Sequence, residues 1–192
     1  AGVVSALGLV SPGNMWDFTR QLHHRGPDDV GVFVGENGNV GLAHTRLSIL
    51  DLTPAGHQPM ATPDGRYTIV FNGEIYNFQQ LRRNLAADGH CFHSQSDTEV
   101  LLALYARDGA AMLSRLDGMF AFAIWDQKQK TCFLARDPLG IKPLYYRNND
   151  SKCTFASEFR TLAEDFSEEF LDPSALSQYL LFGSVSEPAT LH

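Results

Sequence analysis

The stretch Tyr67–Asn77, YTIVFNGEIYN, changes character halfway along, and few folds accommodate that change. Tyr67 to Phe71 is a β-branched and aromatic run suited to a buried strand. From Asn77 the pattern FQQLRRNLAADG sets Phe78, Leu81 and Leu85 on one helical face, with Gly89 as a C-terminal stop. Asn72-Gly73 is therefore expected where a strand passes through a loop into a helix. Asn-Gly is the commonest two-residue hairpin signal, so a plain turn is one reading. A hairpin requires a second strand directly afterwards, and Glu74-Ile75-Tyr76-Asn77 leads into a helix instead. The other reading is a pair of donors, the Gly73 N–H and the Asn72 side-chain amide, aimed at one point. Such a pair stabilises an oxyanion, and losing one donor costs about 3–4 kcal/mol of transition-state stabilisation.

At 192 residues the chain suits one ordinary domain, which would bury roughly 70% of its extended surface. A net charge of −7 supplies no basic stripe for nucleic acid. No apolar run approaches the ~20 residues that span a bilayer, and the opening AGVVSALGLV carries no basic leader. Cys91, Cys132 and Cys153 show no CxxC spacing, so free thiols in a reducing, cytoplasmic setting are expected. The histidines form no HExxH-type pattern, and no metal site is expected.

Taken in order, the chain reads as a strand over 1–10 that starts at the first residue, and a helix over 14–23 capped by Ser11 or Asn14. A hairpin, 30–34 with 40–44, turns at Glu36-Asn37-Gly38. His44–Leu50 continues as an extended segment with Arg46 amid apolar residues, read as a snorkelling or ion-paired arginine or as a ligand. The central strand and helix 77–88 follow, and Ser96-Asp97-Thr98-Glu99 reads as a capping box opening a helix over 100–107. Asp97 in its first turn would favour the positive end of the helix dipole by about 0.3–1 kcal/mol. Strands at 119–125 and 131–135 form a hairpin, and strands at 144–147 and 153–157 follow. A short helix at 158–165 and a last helix at 174–182, led by Asp172-Pro173, complete the pattern. Antiparallel strands grouped between helices indicate an α+β layered domain, not a parallel βαβ sheet.

Six separated motifs now agree: HRGPDD at 24–29, HTRLSILD at 44–51, FNGEIYN at 71–77, SDTEV at 96–100, ARDPLGIKPLYY at 135–146 and FASE at 155–158. Together they resemble the glutaminase domain of class II glutamine amidotransferases, of the asparagine synthetase type, over essentially the whole chain. The resemblance implies the four-layer αββα sandwich of N-terminal-nucleophile (Ntn) hydrolases, built from two antiparallel sheets. It implies an N-terminal cysteine that attacks the amide of L-glutamine, with ammonia passed to a synthetase domain of the same parent chain. It needs no cofactor in this domain, since ATP and Mg would belong to the synthetase domain. Arg46 would clamp the α-carboxylate, a task suited to a bidentate guanidinium. Asp97 would pair with the α-ammonium and Glu74 would support it, while Asn72 and Gly73 would form the oxyanion hole. Leu47, Ser48, Ile49 and Leu50 would line the pocket, and Arg25 and Asp28 would hold loops together. Residues 1–170 would be the glutaminase domain and 171–192 the passage toward the synthetase domain. A homodimer is compatible with the resemblance, which does not select it.

The family begins Cys-Gly-Ile-x-Gly, and this sequence begins Ala1-Gly2. Either Ala1 replaces the cysteine, or Ala1-Gly2 is the x-Gly of the motif and Cys-Gly-Ile belongs in front. On both alignments the chain as given is expected not to hydrolyse glutamine and to bind it weakly at best. A silent scaffold or ligand-binding module beside a synthetase is the alternative function. No SGGxDS-type loop for ATP is present in the 192 residues.

Overall fold

The computed structural model describes residues 1–8, 10–47, 53–163, 172–186 and 189. Nine strands among them form two antiparallel sheets. The first has the order β2(Asp29–Val34), β3(Val40–Arg46), β1(Gly2–Ser5), β9(Lys152–Ala156), β8(Tyr145–Asn148). The second has the order β4(Met60–Ala61), β5(Tyr67–Ile75), β6(Gly118–Asp126), β7(Thr131–Arg136). Helix α1(Pro12–Leu22) packs on the first sheet; α2(Phe78–Ala87) and α3(Asp97–Asp108) pack on the second. A short helix, α4(Arg160–Ala163), follows β9.

Three buried clusters define the layers, and strand alternation explains which residue joins which. Ile69, Phe71 and Ile75 of β5 face α2 and α3 together with Phe120, Phe122 and Ile124 of β6. Their neighbours Val70, Ala123 and Trp125 point the other way and meet Val40, Leu42 and Phe155 of the first sheet. Val3 and Ala43 point outward to Met15 and Phe18 of α1. The layer order is therefore helix, sheet, sheet, helix, the αββα sandwich expected above.

Several local expectations change on the way. The first strand is short, Gly2–Ser5. Helix α1 starts earlier, at Pro12, because Ser11 and Asn14 cap each other reciprocally. Asn72-Gly73 is not in a loop: β5 continues through both to Ile75 because β6 pairs with it as far as Gly118. The helix expected at 100–107 runs over Asp97–Asp108 with Ser96 as cap, but the capping box is only half formed. Glu99 sends its carboxylate to the His93 and Ser94 N–H groups, while the Ser96 N–H donates to Ser94 Oγ. The last helix, α5(Pro173–Phe182), is capped by Asp172 and ends at Gly183.

By Cα proximity the chain forms two compact units, Ala1–Leu162 and Ala163–His192. The first contains both sheets and α1 to α3; the second contains α5, on which Leu180, Leu181 and Phe182 are exposed. Trp125, 1% exposed, is the largest side chain between the sheets. Trp125→Ala is expected to cost about 3–5 kcal/mol in a urea unfolding titration, because little nearby can collapse into the space.

Candidate active site

The pocket opens at one end of the space between the sheets, with a volume of about 320 Å³. That is near the lower end of small-molecule sites, about 300–1,000 Å³. Ala1, Arg46, Leu47, Asn72, Gly73, Glu74 and Asp97 all line it. Ser48, Ile49 and Leu50, expected beside them, lie outside the described residues.

The donor pair follows from the pleat of β5. In an antiparallel pair, N–H and C=O of one residue point to the same side, and alternate residues share that side. Phe120 bonds through its backbone to Asp137 on the β7 side, so its partner Gly73 points away from β6. Phe71 and Ile75 lie on the same outer edge, beyond the reach of β4, which pairs only with Ile69 and Thr68. Side chains cap both: the Phe71 N–H donates to Gln58 Oε1 at 2.7 Å and the Ile75 N–H to Asp97 Oδ2 at 3.1 Å. Between them the Gly73 N–H points out of the edge toward the pocket. A Cβ at Gly73 would lie 2.2 Å from the Met119 carbonyl oxygen, so the close strand approach admits only glycine. Beside it the buried Asn72 side-chain NH2 has no hydrogen-bond partner among the described residues.

Arg46 ends β3 and is 8% exposed, neither snorkelling nor on the surface. It donates to the Thr53 carbonyl at 3.2 Å and lies so close to Gly56 that a Cβ there would sit 2.2 Å from Nη2. Asp97 is buried at the start of α3. Burial raises its carboxyl above the ordinary value and the Glu74 charge adds to this, while the Ile75 N–H partly offsets it. The pocket thus places the Arg46 guanidinium and the Glu74 and Asp97 carboxylates around a common volume, with Arg25 and Lys142 also in its lining and amide donors beside them.

Lys142, Pro143 and Leu144 form another wall. Their loop is held by the buried Asp137, which accepts the Phe120, Ile141 and Lys142 N–H groups at 3.2, 2.9 and 3.0 Å. Burial alone would raise the Asp137 carboxyl, but these donors outweigh it and hold it low.

The whole chain, residues 1–192, matches the family described as a glutamine amidotransferase domain. The chain belongs to that family. This glutamine amidotransferase domain is 43% identical over 194 residues to asparagine synthetase (glutamine-hydrolyzing) 1 of Bacillus subtilis, a match covering 99% of the chain and 30% of that protein. It is 42% identical over 185 residues to a putative asparagine synthetase (glutamine-hydrolyzing) of Mycobacterium tuberculosis, covering 89% and 28%. The domain therefore spans less than a third of the length of these relatives. The glutamine phosphoribosylpyrophosphate amidotransferase of B. subtilis, solved with ADP and GMP, superposes with a TM-score of 0.70 over 84% of this chain and 42% of that one. At 24% identity that likeness establishes the fold, the Ntn-hydrolase sandwich.

The domain's cysteines are free, and none lines the pocket. Burial pushes the Cys132 thiol up to about 12, with Cys153 adding to the effect, so it holds no thiolate near neutrality. Among the described residues, no group of three or more His, Cys, Asp and Glu side chains is gathered as a metal site. No helix among them is long and apolar enough to cross a membrane.

Sequence reasoning missed His44 and Gln58, both in the pocket wall. Strand alternation could have found His44, which shares a face with Leu42 and Arg46; nothing local marks Gln58. Burial pushes the His44 imidazole from its ordinary 6.5 to about 4, with the nearby Arg46 charge adding to the effect. Between those pH values the unfolded chain binds a proton that the folded chain refuses, so acid destabilises the fold across that window. Above pH 6.5 this group contributes no slope. His44→Gln, which cannot titrate, is expected to melt with a shallower pH dependence from 6.5 to 4 than the parent chain. Parallel slopes would show that His44 is not held neutral.

Proposed function

We propose that this domain binds L-glutamine and, in an active parent, releases its amide nitrogen as ammonia. A synthetase domain of the same parent would use that ammonia, with ATP and Mg, to amidate aspartate or a related carboxylate. The observation that supports this reading is the donor pair: a buried Asn72 side-chain NH2 without a partner among the described residues, next to a Gly73 N–H on an open strand edge. Such donors suit an oxygen that gains negative charge as the amide carbon turns tetrahedral. Arg46 would take the α-carboxylate in a planar fork. Asp97 and Glu74 would take the α-ammonium, whose charge would draw the Asp97 carboxyl back toward its ionised form.

The attacking thiol would enter from in front of Ala1. Gly2 pairs with Leu42, and Ala1 exchanges backbone bonds with Ala43. Position 1 thus shares the face of Val3 and Ala43, toward α1 and away from the space between the sheets. Leu42, His44 and Arg46 occupy the other face. In the same register a Cys-Gly-Ile lead would set its cysteine opposite Arg46, on the pocket face and roughly 10 Å beyond Ala1. Parity therefore favours Ala1-Gly2 as the x-Gly of the motif over a cysteine replaced by Ala1.

The 192-residue chain is expected to release no ammonia from glutamine above background. A chain beginning Cys-Gly-Ile ahead of Ala1 is expected to release it, and Ala1→Cys is not. Hydrolysis by Ala1→Cys alone would overturn the parity argument.

By titration calorimetry, Arg46→Ala and Asp97→Ala should each weaken glutamine binding by about 10-fold or more, as expected for a lost charge-assisted bond. Equal affinities in parent and variants would remove the ligand assignment.

A further inference from the structure

We infer that His44 and Gln58 are positioning residues for the amide donors, gripping the backbone of Phe71 so that Asn72 and Gly73 keep their aim into the pocket. The inference rests on the glutamine reading above and adds two residues that make no contact with substrate in that reading.

The two side chains hold the two polar groups of one residue. Gln58 Oε1 accepts the Phe71 N–H at 2.7 Å, and His44 Nε2 donates to the Phe71 carbonyl at 3.0 Å. A carbonyl only accepts, so Nε2 carries a proton and donates it. Gln58 is itself anchored, its Nε2 donating to Thr98 Oγ1 at 3.2 Å, one residue from Asp97. One chain of bonds therefore connects β3, the loop at Gln58, β5 and the start of α3.

Packing alone does not account for either residue. His44 follows Leu42 on the face between the sheets, where an apolar side chain would continue the core. Its Nδ1 is buried without a partner among the described residues, a cost that the single Nε2 bond accompanies. Gln58 is 6% exposed, and its acceptor supplies what a neighbouring strand would supply elsewhere on the edge. Phe71 is adjacent to Asn72 and two residues from Gly73, so rotation of its peptide groups would turn both donors.

The test uses the full 192-residue chain, labelled with 15N. His44→Phe and Gln58→Leu remove the bonds; His44→Gln keeps a donor and Gln58→Glu keeps an acceptor. Residual dipolar couplings report the N–H directions of Phe71, Asn72 and Gly73, with Ile69 and Ile124 of the same sheet as references. Calorimetry reports glutamine affinity. The first two variants should reorient the three N–H vectors while leaving the references fixed, and weaken binding about tenfold. The two conservative variants should recover most of both. Unchanged vectors, changes spread evenly over the sheet, or conservative variants that behave like the disruptive ones would each overturn the inference. Reoriented vectors, with no glutamine bound even by a chain beginning Cys-Gly-Ile ahead of Ala1, would uphold the positioning and reject the ligand reading instead.

Discussion

The open edge of β5 is the constraint from which the site follows. A strand edge inside a protein presents backbone donors and acceptors that must find partners. Here Phe71 and Ile75 obtain theirs from Gln58, His44 and Asp97, all from outside the sheet. Gly73 between them has none among the described residues. The same pleat that demands caps on either side of Gly73 leaves its N–H facing the cavity, and the pocket walls are largely the elements that supply those caps. Lengthening β4 by a few residues would pair the edge and abolish the site.

Charge placement follows a similar economy. Arg46 and Asp97 are both buried, and buried charges are tolerated when paired or hydrogen-bonded. Arg46 has the Thr53 carbonyl and Asp97 has the Ile75 N–H, so each is partly satisfied by backbone. Asp97 nevertheless sits above its ordinary pKa beside Glu74, which is the state of a carboxyl that a cation would stabilise. A zwitterionic amino acid, as proposed above, would complement both ends at once. The stack of two sheets makes this possible: β3 brings the guanidinium from one layer, and β5 with α3 brings the carboxylates from the other.

Much of this was legible in the residues, with identifiable gaps. The hairpin at Asn37-Gly38, the helix after Asn77 and the alternation of β6 carry their structures locally, through turn chemistry and periodicity. Asn72-Gly73 misleads because the same dipeptide ends strands elsewhere. Here the partner strand extends to Gly118, whose missing side chain lets the Glu74 carbonyl approach, and β5 runs on. Glu99 has the spacing of a capping box, yet the 93–94 loop offers two N–H groups and takes its carboxylate. Gln58 is invisible in one dimension because its partners, Phe71 and Thr98, lie 13 and 40 residues away.

By itself the sequence determined an α+β layered domain and, through its resemblance to a family, the chemistry on offer. Apolar alternation set two buried strand faces, and six separated motifs named one guanidinium, two carboxylates and an amide pair. Only the tertiary structure decided their convergence, because residues 46, 72 and 97 meet through packing between sheets that no local pattern encodes. It also decided parity: whether a side chain faces the pocket or α1 depends on strand register, and a shift of one residue exchanges the two faces.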